Sequence, residues 1–169
     1  MVPQRHLPYV LAMDFPKSCH PSTITMYRYW LEKCGNRAMP ARADIDPVEM
    51  PRQLLPGISI VDVVADERRY VYRLVGTGDV EVRGNDPTGK SVLEGFFGPL
   101  AEDALSCYDR VVEMRAPLVD PAPFTAPSGK WINEETLFLP LSDDGENVNK
   151  ILVFSCSRDI REYSDTIGL

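Results

Sequence analysis

Residues 84–91 read GNDPTGKS, which satisfies G-x-x-x-x-G-K-S, the pattern whose backbone N–H groups cradle phosphates while its lysine reaches the outer ones. Such a loop works between a buried parallel strand and a helix whose N-terminus faces the phosphates. Here the preceding residues are VEVR, too polar for a central strand, and Gly95, Gly98 and Pro99 interrupt any helix starting at Lys90. Asp86 would also set a carboxylate among phosphate-facing amides, where like charges repel. No nucleotide binding is expected at this loop. Gly76-Thr77-Gly78 lacks the third glycine of a dinucleotide-binding turn and is weaker still.

The other groups capable of chemistry are sparse. Asp44 and Asp46 could pose as an acid–base pair, but Asp46 before Pro47 reads better as a helix cap. Glu134 and Glu135 are adjacent in a strand pattern, point to opposite faces and cannot form a dyad. His6 and His20 are the only histidines, both near the N-terminus, so no Ser/His/Asp or Cys/His set can be assembled from the core. Cys19 beside His20 is too few ligands for a structural zinc, and no metal site is expected. Two aromatic groups remain. Tyr72, Tyr108, Trp131 and Phe138 could line a small-molecule cavity between a sheet and a long helix, or simply fill a core. Tyr27, Trp30 and Leu31 make an apolar stripe that must be buried, either in a homodimer interface or against the chain's own sheet.

The elements that must position these residues can be read from periodicity. Apolar residues recur at helical spacing over 22–35 and are stopped by Gly35, which predicts an N-terminal amphipathic helix. A short helix is expected over about 46–55, ended by Pro56-Gly57. GISIVDVVA (57–65) and RYVYRLVG (69–76) are close enough to form an antiparallel hairpin, with Asp62 and Arg73 opposite or diagonal to each other. Residues 77–98 are punctuated by glycine, with room only for short helical turns. A long helix runs from about Pro99 to Pro117, followed by strands near 117–126, 130–141 and 148–158. Hairpins of strands rather than strands alternating with helices argue an α+β fold.

The 169 residues are most simply one domain, with 44% hydrophobic and 25% charged residues. A net charge of -7 without a basic cluster argues against nucleic acid. The apolar runs are far too short for a membrane span. Four scattered cysteines without C-x-x-C spacing suggest reduced thiols and a cytoplasmic location.

Tyr29-Trp30 precedes Pro40-Ala41-Arg42-Ala43-Asp44-Ile45-Asp46-Pro47. Leu55-Pro56, Val61-Asp62, YRLVGT at 72–77, and Gly84 to Lys90 follow, with Leu139-Pro140-Leu141-Ser142 and Arg158-Asp159-Ile160-Arg161-Glu162 near the end. This ordered series of motifs resembles a stand-alone bacterial PAS-like family frequent in alphaproteobacteria. The resemblance implies a five-stranded antiparallel sheet with helices on one face, over a domain spanning 22–163. An irregular segment (1–21) precedes it and a short tail (164–169) follows. It also makes GNDPTGKS a connecting turn. Haem-binding members need an axial histidine in the helical region, which His6 and His20 do not supply. Photosensing flavin members carry a reactive cysteine in a helix unlike anything after Gly84; Cys107 lies on the long helix instead. Neither cofactor is expected. The implied role is a non-enzymatic signalling protein with no attached output. It would act through a regulatory partner, would commonly dimerise through its flanking helix, and could hold a small ligand. The alternatives are a soluble small-ligand receptor and an undetected enzyme.

Overall fold

The computed structural model describes residues 9–10, 19–95, 101–121, 123–125 and 131–157. His6, the closing 158–162 motif and the 164–169 tail lie outside them, as does most of 1–21.

Helix α1 spans Pro21–Cys34, with Pro21 in its first turn. The His20 Nδ1 accepts from the Ser22 N–H at 3.1 Å, and Gly35 ends the helix at φ +56°. Three 3-10 turns follow, at Arg42–Asp44, Pro47–Glu49 and Arg52–Gly57. The expected 46–55 helix is therefore broken, because Pro51 and Pro56 recur too closely for an i→i−4 ladder. Asp46 does cap, its Oδ1 accepting from the Val48 N–H at 2.9 Å.

Strands β2 (Ile58–Val63) and β3 (Tyr70–Leu74) form the expected antiparallel hairpin. Helices α2 (Thr77–Arg83), α3 (Val92–Gly95) and α4 (Ala101–Met114) follow. Then come β4 (Leu118–Asp120), β5 (Phe124–Thr125), β6 (Trp131–Ile132), β7 (Glu134–Leu141) and β8 (Lys150–Ser157). The main sheet has the order β1-β4-β7-β8-β2-β3, antiparallel throughout, where β1 is a two-residue strand, Tyr9–Val10. β5 and β6 form a separate ribbon.

Helix α4 packs on one face of this sheet, as expected of the core helices, and the N-terminal helix α1 lies on the other. Glu135, Leu137, Leu139 and Leu141 alternate with Phe138 and Pro140 along β7, and nearly all are buried. The odd-numbered side carries α1; the even-numbered side carries α4, where Phe138 meets Tyr108. Two bonds fix α1 lengthwise. The His20 N–H donates to Glu135 Oε2 at 2.9 Å and Trp30 Nε1–H to the Pro140 carbonyl at 2.9 Å. Ten residues of helix and five of strand both advance about 16 Å, so α1 lies parallel to β7. Tyr27 and Trp30 are 8% and 4% exposed. The stripe expected to anchor a dimer is thus buried on the chain's own sheet, and only Leu31, at 45%, remains outside.

Asp62 and Arg73 meet as expected, Nε to Oδ2 at 2.8 Å, but a β-bulge is the means. Ile60 pairs with Leu74 and Val61 with Tyr72, so Arg73 has no opposite residue and swings onto the face of Asp62. Lys150 from β8 bonds the other carboxylate oxygen. Burial raises the Asp62 pKa, but the Lys150 and Arg73 hydrogen bonds outweigh it and hold the carboxyl below its ordinary value. This contribution is present above the unfolded carboxyl pKa and lost as pH falls through the lowered folded one. A double-mutant cycle with Asp62→Asn and Arg73→Gln should give about 0.5–1 kcal/mol of coupling at neutral pH, modest because Arg73 is 69% exposed. Strict additivity in urea melts would count against the contact.

Candidate functional site

The chemistry collects between the sheet and α2–α4. Gly76 opens α2, and a Cβ there would stand 2.3 Å from the Pro56 carbonyl oxygen and 2.7 Å from that of Ile58. Only glycine lets α2 start this close to β2. Asp79 in the first turn and Arg83 in the last then share one helix face, joined Nε to Oδ2 at 3.2 Å. The Arg83 guanidinium fans out from there. Nη2 donates to Tyr72 Oη at 3.0 Å, Nη1 to the Gly95 carbonyl at 2.8 Å, and the cation sits 5.1 Å from the Tyr72 ring centroid. Ser59 Oγ donates to Asp79 at 3.5 Å and accepts from the Gly76 N–H at 3.3 Å. Arg83 therefore ties α2, β3 and the end of α3 together.

Three of the four expected cavity aromatics converge here. Tyr108 lies beside Tyr72, packs edge-on against Phe138 with centroids 5.1 Å apart, and tilts over Tyr70 at 5.1 Å. Trp131 does not join them: it is 66% exposed on the β5–β6 ribbon. The alternation of that short ribbon turns Ile132, not Trp131, inward. Burial raises the Tyr72 pKa despite Arg83, and raises that of Tyr108 well above the ordinary range, so both are neutral donors or acceptors.

Glu134 faces the same space, and Glu135 the α1 side, as their adjacency requires. Burial first, then the Asp79 charge, push the Glu134 carboxyl from 4.5 to about 7, with Arg83 opposing. A raised folded pKa stabilises the fold fully below 4.5 and ceases to do so as pH rises through about 7. Glu134→Gln should therefore gain about 1–3 kcal/mol over the wild type at pH ~8 and little at pH ~4.5, measured by urea melts at both values. An equal difference at both pH values would refute the shift.

Sequence reasoning missed Asp79 and Arg83. The signal was the i,i+4 Asp–Arg pair in TGDVEVR, obscured by the glycines around it. Cys107, 2% exposed, donates to Asp120 Oδ2 at 3.7 Å. Among the described residues no group of three or more His, Cys, Asp or Glu could hold a metal ion.

GNDPTGKS is no phosphate cradle. Gly84 ends α2 at φ +77°, Asp86 Oδ1 accepts from the Thr88 N–H at 3.0 Å, and the loop then pairs with the outer edge of β3. The Gly89 N–H donates to the Tyr72 carbonyl at 2.7 Å, and the Lys90 carbonyl accepts from the Tyr72 N–H at 3.0 Å. A helix precedes the loop, where a phosphate cradle needs a buried strand. Calorimetric titration with Mg-ATP or Mg-GTP should give no saturable heat. Binding tighter than about 100 μM that Lys90→Ala abolishes would overturn this.

Comparisons with known proteins agree with this geometry. A family model described as PAS domain matches residues 18–154. No curated protein matches the sequence. Among solved structures, a light-oxygen-voltage domain studied with a flavin analogue is 15% identical with a TM-score of 0.51, covering 68% of this chain and 85% of that one. A variant of the fungal photoreceptor VVD is 9% identical at 0.50, covering 78% and 93%. The light state of the Aureochrome1 LOV domain is 11% identical at 0.50, covering 72% and 95%. At these identities the likeness is one of fold: an antiparallel sheet with helices. With a family match over 18–154, the motif order and this sheet topology in agreement, the chain belongs to the PAS domain family.

Proposed function

We propose that this PAS domain is a non-enzymatic sensory and signalling module that passes its state on through protein contacts. One observation carries the reading: the chain's own Tyr72, Tyr108, Phe138 and Arg83 converge between the sheet and α2–α4, where Arg83 donates to Tyr72 and Tyr108 packs edge-on against Phe138. Among the described residues no buried side-chain polar atom lacks a partner. A flavin needs a flat apolar slot and several uncommitted donors along its polar edge, and the engagement of Arg83 with Asp79, Tyr72 and Gly95 supports a reading without one. Cys107 points its thiol at Asp120 instead. The proposal is therefore of a domain that takes no flavin. Its acceptor is a second copy or a separate regulatory chain, reached through surfaces other than Tyr27 and Trp30. No helix among the described residues is long and apolar enough to cross a membrane. A cytoplasmic location, suggested by the cysteine usage, belongs to the same proposal.

Native mass spectrometry of the purified protein, paired with its visible absorption spectrum, tests this. The expected result is the bare chain mass or an integer multiple of it, without a flavin band. A stoichiometric flavin or other organic ligand, lost on Tyr108→Trp, would place the function inside the domain instead.

A further inference from the structure

The opposite face of the sheet carries a pocket of about 220 Å³ that has no part in the Arg83 network. Its floor is Ile58 and Ile60 of β2, and its walls are Ile45, Met50, Leu55 and Leu74. The walls are built stiffly. The Arg73 bulge turns Leu74 onto this face, and the proline-bounded 3-10 turns hold Ile45 and Met50, each 5% exposed. An apolar cavity of about 150 Å³ holds benzene, so this one has room for a ring or branched chain and a short extension.

One lining residue is charged. Arg42 donates from Nη1 to the Ile45 carbonyl at 3.0 Å, which orients its guanidinium, and no carboxylate among the described residues pairs with it. The nearest acid in sequence, Asp44, is engaged by Arg37 at 2.8 Å and by the Ala41 N–H at 2.8 Å. An apolar hole with one uncompensated guanidinium beside it suits a molecule with an apolar body and one anionic head. We propose that this outer-face pocket binds a small carboxylate with an aromatic or branched aliphatic body. Such a ligand would bind on the face opposite the Arg83 network, and the site stands whether or not the interior takes a ligand.

The test uses the full chain with labelled isoleucine and leucine methyl groups, titrated with phenylacetate and with neutral phenylacetamide. Phenylacetate should shift the Ile45, Ile58, Ile60, Leu55 and Leu74 methyls saturably, with a Kd of about 1 mM or tighter. The amide should bind about tenfold more weakly, and Arg42→Gln should weaken phenylacetate by a similar factor. Leu74→Trp, at a half-exposed position, should fill the mouth and abolish the shifts. No saturable shift, equal affinity for acid and amide, or shifts confined to residues around Phe138 would each overturn the proposal.

Discussion

Trp30→Ala is expected to cost about 3–5 kcal/mol of folding stability, while Leu31→Ala one residue on costs less than about 0.5 kcal/mol. The two side chains leave the same helix in different directions. Trp30 is 4% exposed and stacks near Tyr27 with ring centroids 6.3 Å apart. Truncating it opens a cavity over β7 and β8 and removes the donor to the Pro140 carbonyl, so a transfer loss and an orphaned acceptor add. Leu31, 45% exposed, removes little from water and leaves no hole. Urea melts at low and high chain concentration separate this from the dimer reading. An intrachain core contact gives the same Trp30 penalty at both, whereas an interface anchor gives one that grows with concentration. A Trp30→Ala loss below about 1 kcal/mol, or one matched by Leu31→Ala, would mean that α1 is not held by its own sheet.

The order of elements was legible because the signals were local. Gly35 after a helical stripe, a three-residue gap between two β-rich runs, and Pro117 after a second stripe each punctuate the chain close to where the structure does. The faces were not legible, because a stripe says only that something is buried, and the β7 alternation hides its two-sided burial behind a nearly continuous apolar run, TLFLPL. The Asp62–Arg73 contact was foreseen for an incomplete reason. Cross-strand spacing brought the two near, but the bulge that aims Arg73 leaves no mark in the alternation, and the third partner, Lys150 from β8, depends on pairing across 88 residues of sequence. Trp131 shows the opposite error. Aromatic character argued for a core position, yet the two-residue β6 turns it outward. Asp79 and Arg83 needed knowledge of α2, a helix whose glycine start makes sense only once Pro56 and Ile58 lie against it.

That dependence makes Arg83→Met the most informative change in the interior. The substitution keeps much of the apolar stem and deletes the charge, and it is expected to cost about 3 kcal/mol. Three partners are stranded at once: the Asp79 carboxylate, the Gly95 carbonyl and the Tyr72 hydroxyl. The Arg83 and Asp79 side chains are 18% and 15% exposed, so water can replace the lost donor only in part. The asymmetry of buried ion pairs supplies a control. Removing one charge leaves the other uncompensated, whereas removing both relieves that penalty. Arg83→Met/Asp79→Leu should therefore recover about 1–2 kcal/mol relative to Arg83→Met alone. The proton at Glu134 provides a second readout. Arg83 opposes the raised Glu134 pKa, so its removal should push that carboxyl further above about 7. The stability of Arg83→Met should then keep falling with rising pH beyond the range in which the wild type levels off. A variant that loses stability without this displacement, and that Asp79→Leu makes worse, would show that Arg83 merely fills space rather than holding the charges of α2 and β7 in balance.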